Sequence, residues 1–153
     1  MDPLEKAIQL AVSAHRGQKD KAGIPYVLHP LRVMMRMSDP IARIVAVLHD
    51  VVEDTPVTLD ELRREGFSPE VLEALDCLTH REGESYEEYI ERAASHPLAL
   101  AVKRADLEDN MDIRRLSQHP TDRDWARLVR YRQAWARLHD EPSVPSAAPP
   151  IPS

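Results

Sequence analysis

Four ionisable side chains fall within six residues of one apolar run, Val47-Leu48-His49-Asp50-Val51-Val52-Glu53-Asp54-Thr55. Burying a charge without a partner is costly, so polar groups that interrupt an apolar helix face need a chemical reason. On a helix His49 and Glu53 share a face, as do Asp50 and Asp54. His49 and Asp50 stand about 100° apart around the axis, so both side chains reach one point beside the helix. An imidazole and a carboxylate converging there suit a borderline divalent ion such as Mn²⁺, Fe²⁺ or Zn²⁺. The alternative is an exposed, acidic helix end.

Two further groups bear on that choice. His29 sits in Pro25-Tyr26-Val27-Leu28-His29-Pro30, at a helix entrance beside apolar residues. Asp106 shares an i, i+4, i+8 stripe with Val102 and Asn110. An Asp on a stripe that should face the core needs a partner. That partner is an arginine, Arg104 or Arg114, or a metal.

The elements that must position these groups read almost entirely as helix. Asp2 caps a first helix with Pro3 at its first position, and Leu4, Ile8, Ala11 and His15 follow at helical spacing. Here His15 reads as a satisfied core histidine. Gly17 and Gly23 bracket a polar loop, and Pro30 opens a second helix. Asp39-Pro40 starts a third, running through Ile41, Ile44, Val45, Leu48, Val51 and Val52. Thr58 with Glu61, and Ser85 with Glu88, form capping boxes, and Ser68-Pro69 opens the helix between them. A long helix after Pro97 carries Leu98, Val102, Ala105 and Ile113, and the last runs from near Thr121 to about His139. No stretch alternates with period two. The expectation is an all-α domain of about eight helices, a non-barrel bundle.

The folded domain is expected over residues 2–140. Residues 141–153 carry five of the 13 prolines among Ser and Ala, which predicts a disordered tail. At 153 residues the chain can bury one ordinary core. Its net charge of −6 and its seven aromatic residues argue against DNA or RNA as a partner. No apolar run approaches the roughly 20 residues of a membrane span. The start, Met1-Asp2-Pro3-Leu4-Glu5-Lys6, lacks the apolar region of a signal peptide. The single Cys77 excludes an intrachain disulfide and fits a cytoplasmic location. The Trp125-to-Leu138 helix is either a packing surface or the face of a homodimer.

The order His29, His49-Asp50, Asp106 resembles the HD-domain metal phosphohydrolases. The surrounding words narrow the resemblance. Ala14-His15-Arg16-Gly17-Gln18, Gly23-Ile24-Pro25-Tyr26-Val27-Leu28-His29-Pro30, His49-Asp50-Val51-Val52-Glu53-Asp54-Thr55 and Lys103-Arg104-Ala105-Asp106 with Asn110-Met111 look like the hydrolase half of the Rel/SpoT homologues. The short length matches the stand-alone small alarmone hydrolases. The resemblance covers residues 4 to about 138.

It implies that His29, His49, Asp50 and Asp106 hold one Mn²⁺, with Fe²⁺, Co²⁺ or Zn²⁺ as alternatives. It implies that Glu53 and Asp54 position or deprotonate the attacking water. The implied reaction removes the 3′-pyrophosphate from guanosine alarmones, leaving GDP or GTP. No synthetase activity is expected. So polyanionic a nucleotide needs local positive charge on an acidic chain. Lys21 and Lys103 are the foremost candidates, with Asn110 as a neutral donor and Tyr26 packing near the nucleotide. Three acidic residues depart from the family pattern. Asp20 stands where an Arg of the family's basic pair would fall, and Glu108 and Asp109 follow Asp106. These leave an adenosine alarmone as an alternative substrate. Two other readings stand beside it: a phosphohydrolase of another phosphorylated nucleotide, and a nucleotide-sensing module with little turnover.

Overall fold

Asp2 accepts the backbone N–H groups of Leu4 and Glu5, and Pro3 fills the first helical position, so α1 runs Pro3–Ala14. The computed structural model describes residues 1–139, and the expectations for 141–153 lie outside them. The same logic of caps starts most later helices: α2 (Leu28–Met35), α3 (Pro40–Leu48), α4 (Val51–Asp54), α5 (Leu59–Arg64), α6 (Pro69–Cys77), α7 (Tyr86–Ala94), α8 (Pro97–Asn110) and α9 (Asp122–Leu138). A 3₁₀ turn, Ile113–Arg115, joins the last two. The described residues contain no β-strand, only a bridge between Lys19 and Pro25. The architecture is all-α, as expected.

Several boundaries differ from the sequence reading. The second helix begins at Leu28, two residues before Pro30, so His29 lies in its first turn. Proline fits there because first-turn N–H groups have no intrahelical acceptor. The third helix does not run through to Val52. It stops at Leu48 and resumes at Val51, because the His49 imidazole donates to the Ala46 carbonyl at 2.6 Å. That carbonyl is the acceptor the Asp50 amide would use in an unbroken helix. Ile113 leaves the long helix, which ends at Asn110, and is exposed in the 3₁₀ turn. Ser85 accepts from the Glu88 amide without the reciprocal bond, whereas Thr121 and Asp124 complete a capping box.

The packing centres on α3. Val45, Ala46, Val47 and Leu48 are fully buried, so this helix is apolar nearly all round, and α1, α2, α6 and α8 surround it. Alanines at 7, 11, 46, 74, 93 and 99 have no exposure, and these small side chains let the helices approach closely. A second cluster, Tyr89, Ile90, Leu107, Ala134 and Leu138, knits α7, α8 and α9 together. Asp106 lies on α8 between Ala105 of the first cluster and Leu107 of the second.

Candidate metal centre

His29 enters the interior from α2, His49 and Asp50 from the break between α3 and α4, and Asp106 from α8. All four are buried, each less than a tenth exposed. Their donor atoms converge. His29 Nε2 lies 2.9 Å from Asp106 Oδ1, and His49 Nε2 lies 3.3 Å from that same oxygen. Asp50 Oδ2 stands 3.1 Å from His49 Nε2 and 3.6 Å from His29 Nε2. One donor atom from each of His29, His49 and Asp50 lies within 4.8 Å of the others.

Partners behind the imidazoles fix which nitrogen faces inward. His29 Nδ1 meets Asp109 Oδ2 at 2.6 Å, and His49 Nδ1 meets the Ala46 carbonyl. Carboxylates and carbonyls only accept, so both Nδ1 atoms carry protons and both Nε2 atoms face the cluster. Facing lone pairs and carboxylate oxygens require positive charge between them. Protons can supply it. Burial opposes a charged His49, yet Asp50 and Asp106 hold its pKa well above the ordinary value. Burial likewise opposes ionisation of Asp50, but His49 brings that carboxyl down to about 2. A divalent cation supplies the same charge in one step, and two imidazoles with two carboxylates fit it.

The arginine partners considered for Asp106 are engaged elsewhere. Arg104 donates to the Leu138 carbonyl, and Arg114 pairs with Asp112 at 2.7 Å. Lys103 takes that place: it is buried, and its Nζ lies 2.8 Å from Asp106 Oδ2. Asn110 Nδ2 donates to Asp106 Oδ1 at 3.1 Å. Tyr26 donates its hydroxyl to Asp50 Oδ2 at 2.5 Å. Lys21 stays at the rim, largely exposed and 3.8 Å from Asp124.

Glu53 and Asp54, on the single turn α4, stand beside the cluster without entering it. Glu53 Oε1 accepts the His80 amide at 3.1 Å. Burial raises the pKa of both carboxyls, and the nearby Asp50 charge adds to the rise. A carboxylate of raised basicity suits proton transfer near neutral pH. Gln18 Nε2 holds the Asp54 carbonyl at 2.8 Å, and its Oε1 faces His15 Nδ1 at 2.8 Å. His15 is buried as expected, but its Nε2 finds no partner among the described residues.

Two clefts open on the cluster. One, of about 720 Å³, is lined by His29 and Tyr26 with Lys19, Lys21, Arg32, Arg115 and Arg127. The other, of about 520 Å³, is lined by Asp50, Glu53, Asp54 and Asp106 together with Lys103, Arg130, Tyr86 and His80. The three acidic departures do not face a ligand unpaired. Asp20 Oδ1 accepts from the Ala22 and Ile24 amides, both at 2.9 Å, and so shapes the loop. Glu108 meets Arg36 and the Trp135 indole. Asp109, 1% exposed, grips His29, Arg32 and Arg115. The sequence reading did not single out Arg32, His80 or Arg130, and it takes Asp109 only as an acidic departure. The one available signal was the spacing of Asp109 three residues after Asp106.

No family model matches the chain. A GTP pyrophosphokinase of Streptomyces coelicolor is 36% identical over 121 residues, which cover 71% of this chain and 14% of that protein. A guanosine-3′,5′-bis(diphosphate) 3′-pyrophosphohydrolase of Aquifex aeolicus is 30% identical over 122 residues, covering 72% of this chain and 17% of that protein. The chain therefore spans less than a fifth of the length of these curated relatives. A solved structure described as a metazoan ortholog of SpoT that hydrolyzes ppGpp matches with a TM-score of 0.74 and 25% identity, covering 90% of this chain and 85% of that one.

Proposed function

The chain belongs to the HD-domain hydrolases of Rel/SpoT type, and from that premise we propose that it removes the 3′-pyrophosphate of guanosine alarmones with the help of a divalent metal ion. The observation that carries this reading is the convergence of His29, His49, Asp50 and Asp106 at one buried point beside Glu53 and Asp54.

His29 and His49 would bind the ion through Nε2, and Asp50 and Asp106 through carboxylate oxygens. Mn²⁺ is the ion proposed, on the nitrogen–oxygen donor set and the family resemblance. Such an ion supplies Lewis acidity, polarising a phosphoryl oxygen and making a water more acidic. The remaining work falls to the chain. Lys103 neutralises one Asp106 oxygen and leaves the other facing the imidazoles. Tyr26, from the turn before α2, orients the Asp50 carboxylate, and Asn110, one turn along α8, orients that of Asp106. Glu53 or Asp54 takes a proton from the water as its oxygen attacks the phosphorus next to the ribose 3′-oxygen. The bond from phosphorus to the 3′-oxygen breaks, and the 3′-oxygen receives a proton. The products are pyrophosphate and a nucleoside 5′-di- or triphosphate with a free 3′-hydroxyl. Lys21, with the other cations of the larger cleft, would hold the nucleotide. A nucleotide substrate and a lone cysteine fit the cytoplasm.

The test is an activity screen of Mn²⁺-loaded protein on guanosine and adenosine tetra- and pentaphosphates beside ordinary nucleotides, with products identified. Pyrophosphate with GDP or GTP is expected. Release of orthophosphate alone would assign another phosphohydrolase specificity, and no release from any alarmone would end the proposal.

A further inference from the structure

The smaller cleft has a wall that the hydrolytic step leaves idle. Tyr86 opens α7, and Arg130 reaches over from α9 with its guanidinium carbon 4.9 Å from the centre of the Tyr86 ring. Arg130 has no carboxylate within ion-pair distance among the described residues. The Tyr86 hydroxyl is sealed from solvent and has no hydrogen-bond partner among the described residues. Burial raises the Tyr86 pKa, so the phenol keeps its proton and remains a donor. Lys103 adds charge between them and Asp106, with its Nζ 4.9 Å from the Tyr89 ring centre.

We propose that Arg130 binds the outer phosphate of the departing pyrophosphate and that Tyr86, once its sealed hydroxyl is uncovered by side-chain movement, adds a second donor, so that α9 makes the site select a 3′-diphosphate over a 3′-monophosphate. The inference rests on the hydrolase reading above. With the inner phosphorus at the imidazole–carboxylate cluster, the lining of this cleft divides by charge. Glu53 and Asp54 repel the outer phosphate, whereas Lys103 and Arg130 are cations and Tyr86 is a further donor. A guanidinium presents a planar fork that fits phosphate oxygens, and the Tyr86 face beneath it restrains the long side chain before the ligand arrives. An arginine on a helix surface is ordinarily a solvated charge. The ring it covers, whose buried hydroxyl has no hydrogen-bond partner among the described residues, is what sets this one apart.

The test compares wild type with Arg130→Ala and Tyr86→Phe, loaded with Mn²⁺, on guanosine 5′-diphosphate 3′-diphosphate and on the 3′-monophosphate analogue. Arg130 is exposed, and Tyr86→Phe removes one oxygen only, so folding is expected to survive and is checked by circular dichroism. The ratio of kcat/KM for the diphosphate to that for the monophosphate should fall about 10- to 100-fold in Arg130→Ala, the loss of a charge-assisted hydrogen bond, and less in Tyr86→Phe. An unchanged ratio in both variants overturns the inference while the hydrolase reading stands. If wild type cleaves neither nucleotide, the hydrolase reading fails. Calorimetric titration with inorganic pyrophosphate then decides the site alone. Weaker binding by Arg130→Ala supports it, and equal binding overturns it.

Discussion

His29 and Asp109, 80 residues apart in the chain, are joined by a 2.6 Å hydrogen bond from the imidazole Nδ1 to the carboxylate. Asp109 is itself held by Arg32 and Arg115, so the ring of His29 is anchored from behind by a charge network spanning α2, α8 and the 3₁₀ turn. Arg115 also donates to the Asp109 carbonyl.

Asp109→Asn keeps the shape of the side chain and removes its charge. Outer partners of metal-binding histidines typically contribute 10- to 100-fold in metal affinity. Calorimetric titration with Mn²⁺ should show a loss of about that size. Unchanged affinity would remove Asp109 from any role in presenting His29.

Glu53→Gln and Asp54→Asn should separate binding from turnover. Neither carboxylate belongs to the converging cluster, so Mn²⁺ and nucleotide affinities are expected to stay near wild type. Proton transfer by a positioned side chain is worth about 10²- to 10⁴-fold, and kcat should fall by that order in at least one variant. Retention of full kcat in both would require another base.

Glu84 provides a pH-dependent contribution to stability away from the metal cluster. Its hydrogen bonds from Arg92, at 2.7 and 2.9 Å, hold its pKa down to about 2. A depressed folded-state pKa stabilises fully above the unfolded carboxyl's value of about 4.3 and is lost as pH falls through the folded value. The difference in thermal midpoint between wild type and Glu84→Gln should therefore be constant above about pH 5 and narrow between about pH 4 and pH 2. A gap independent of pH across that window would contradict the pairing. The pair matters to the site because Arg92 also binds the Thr79 carbonyl at 2.6 Å, next to the His80 amide that holds Glu53.

Helix starts were legible because Asp2, Asp39, Thr58, Ser68 and Thr121 act locally, each bonding an amide within three residues of itself. The four converging residues were legible because three short words carry them. The break after Leu48 was not, since apolar spacing continues through it and the interruption depends on one imidazole turning back on Ala46. Asp109 read as an adverse charge because its partners Arg32 and Arg115 meet it only in the fold. Arg130 drew no reading for the same reason: its neighbour Tyr86 comes from a different helix.

The interruption at His49 and Asp50 makes the length of α3 a fixed measure. Each residue removed or added between Pro40 and Leu48 would turn the following side chains by about 100° and shift them by about 1.5 Å along the axis. Swapping Val for Ile within this helix alters only how the core fills. A single-codon insertion or deletion would swing both donors out of the cluster, whereas the exposed turn at Glu82-Gly83 can change length without moving either. Gaps within this segment should therefore be far rarer than substitutions in any functional variant of the chain.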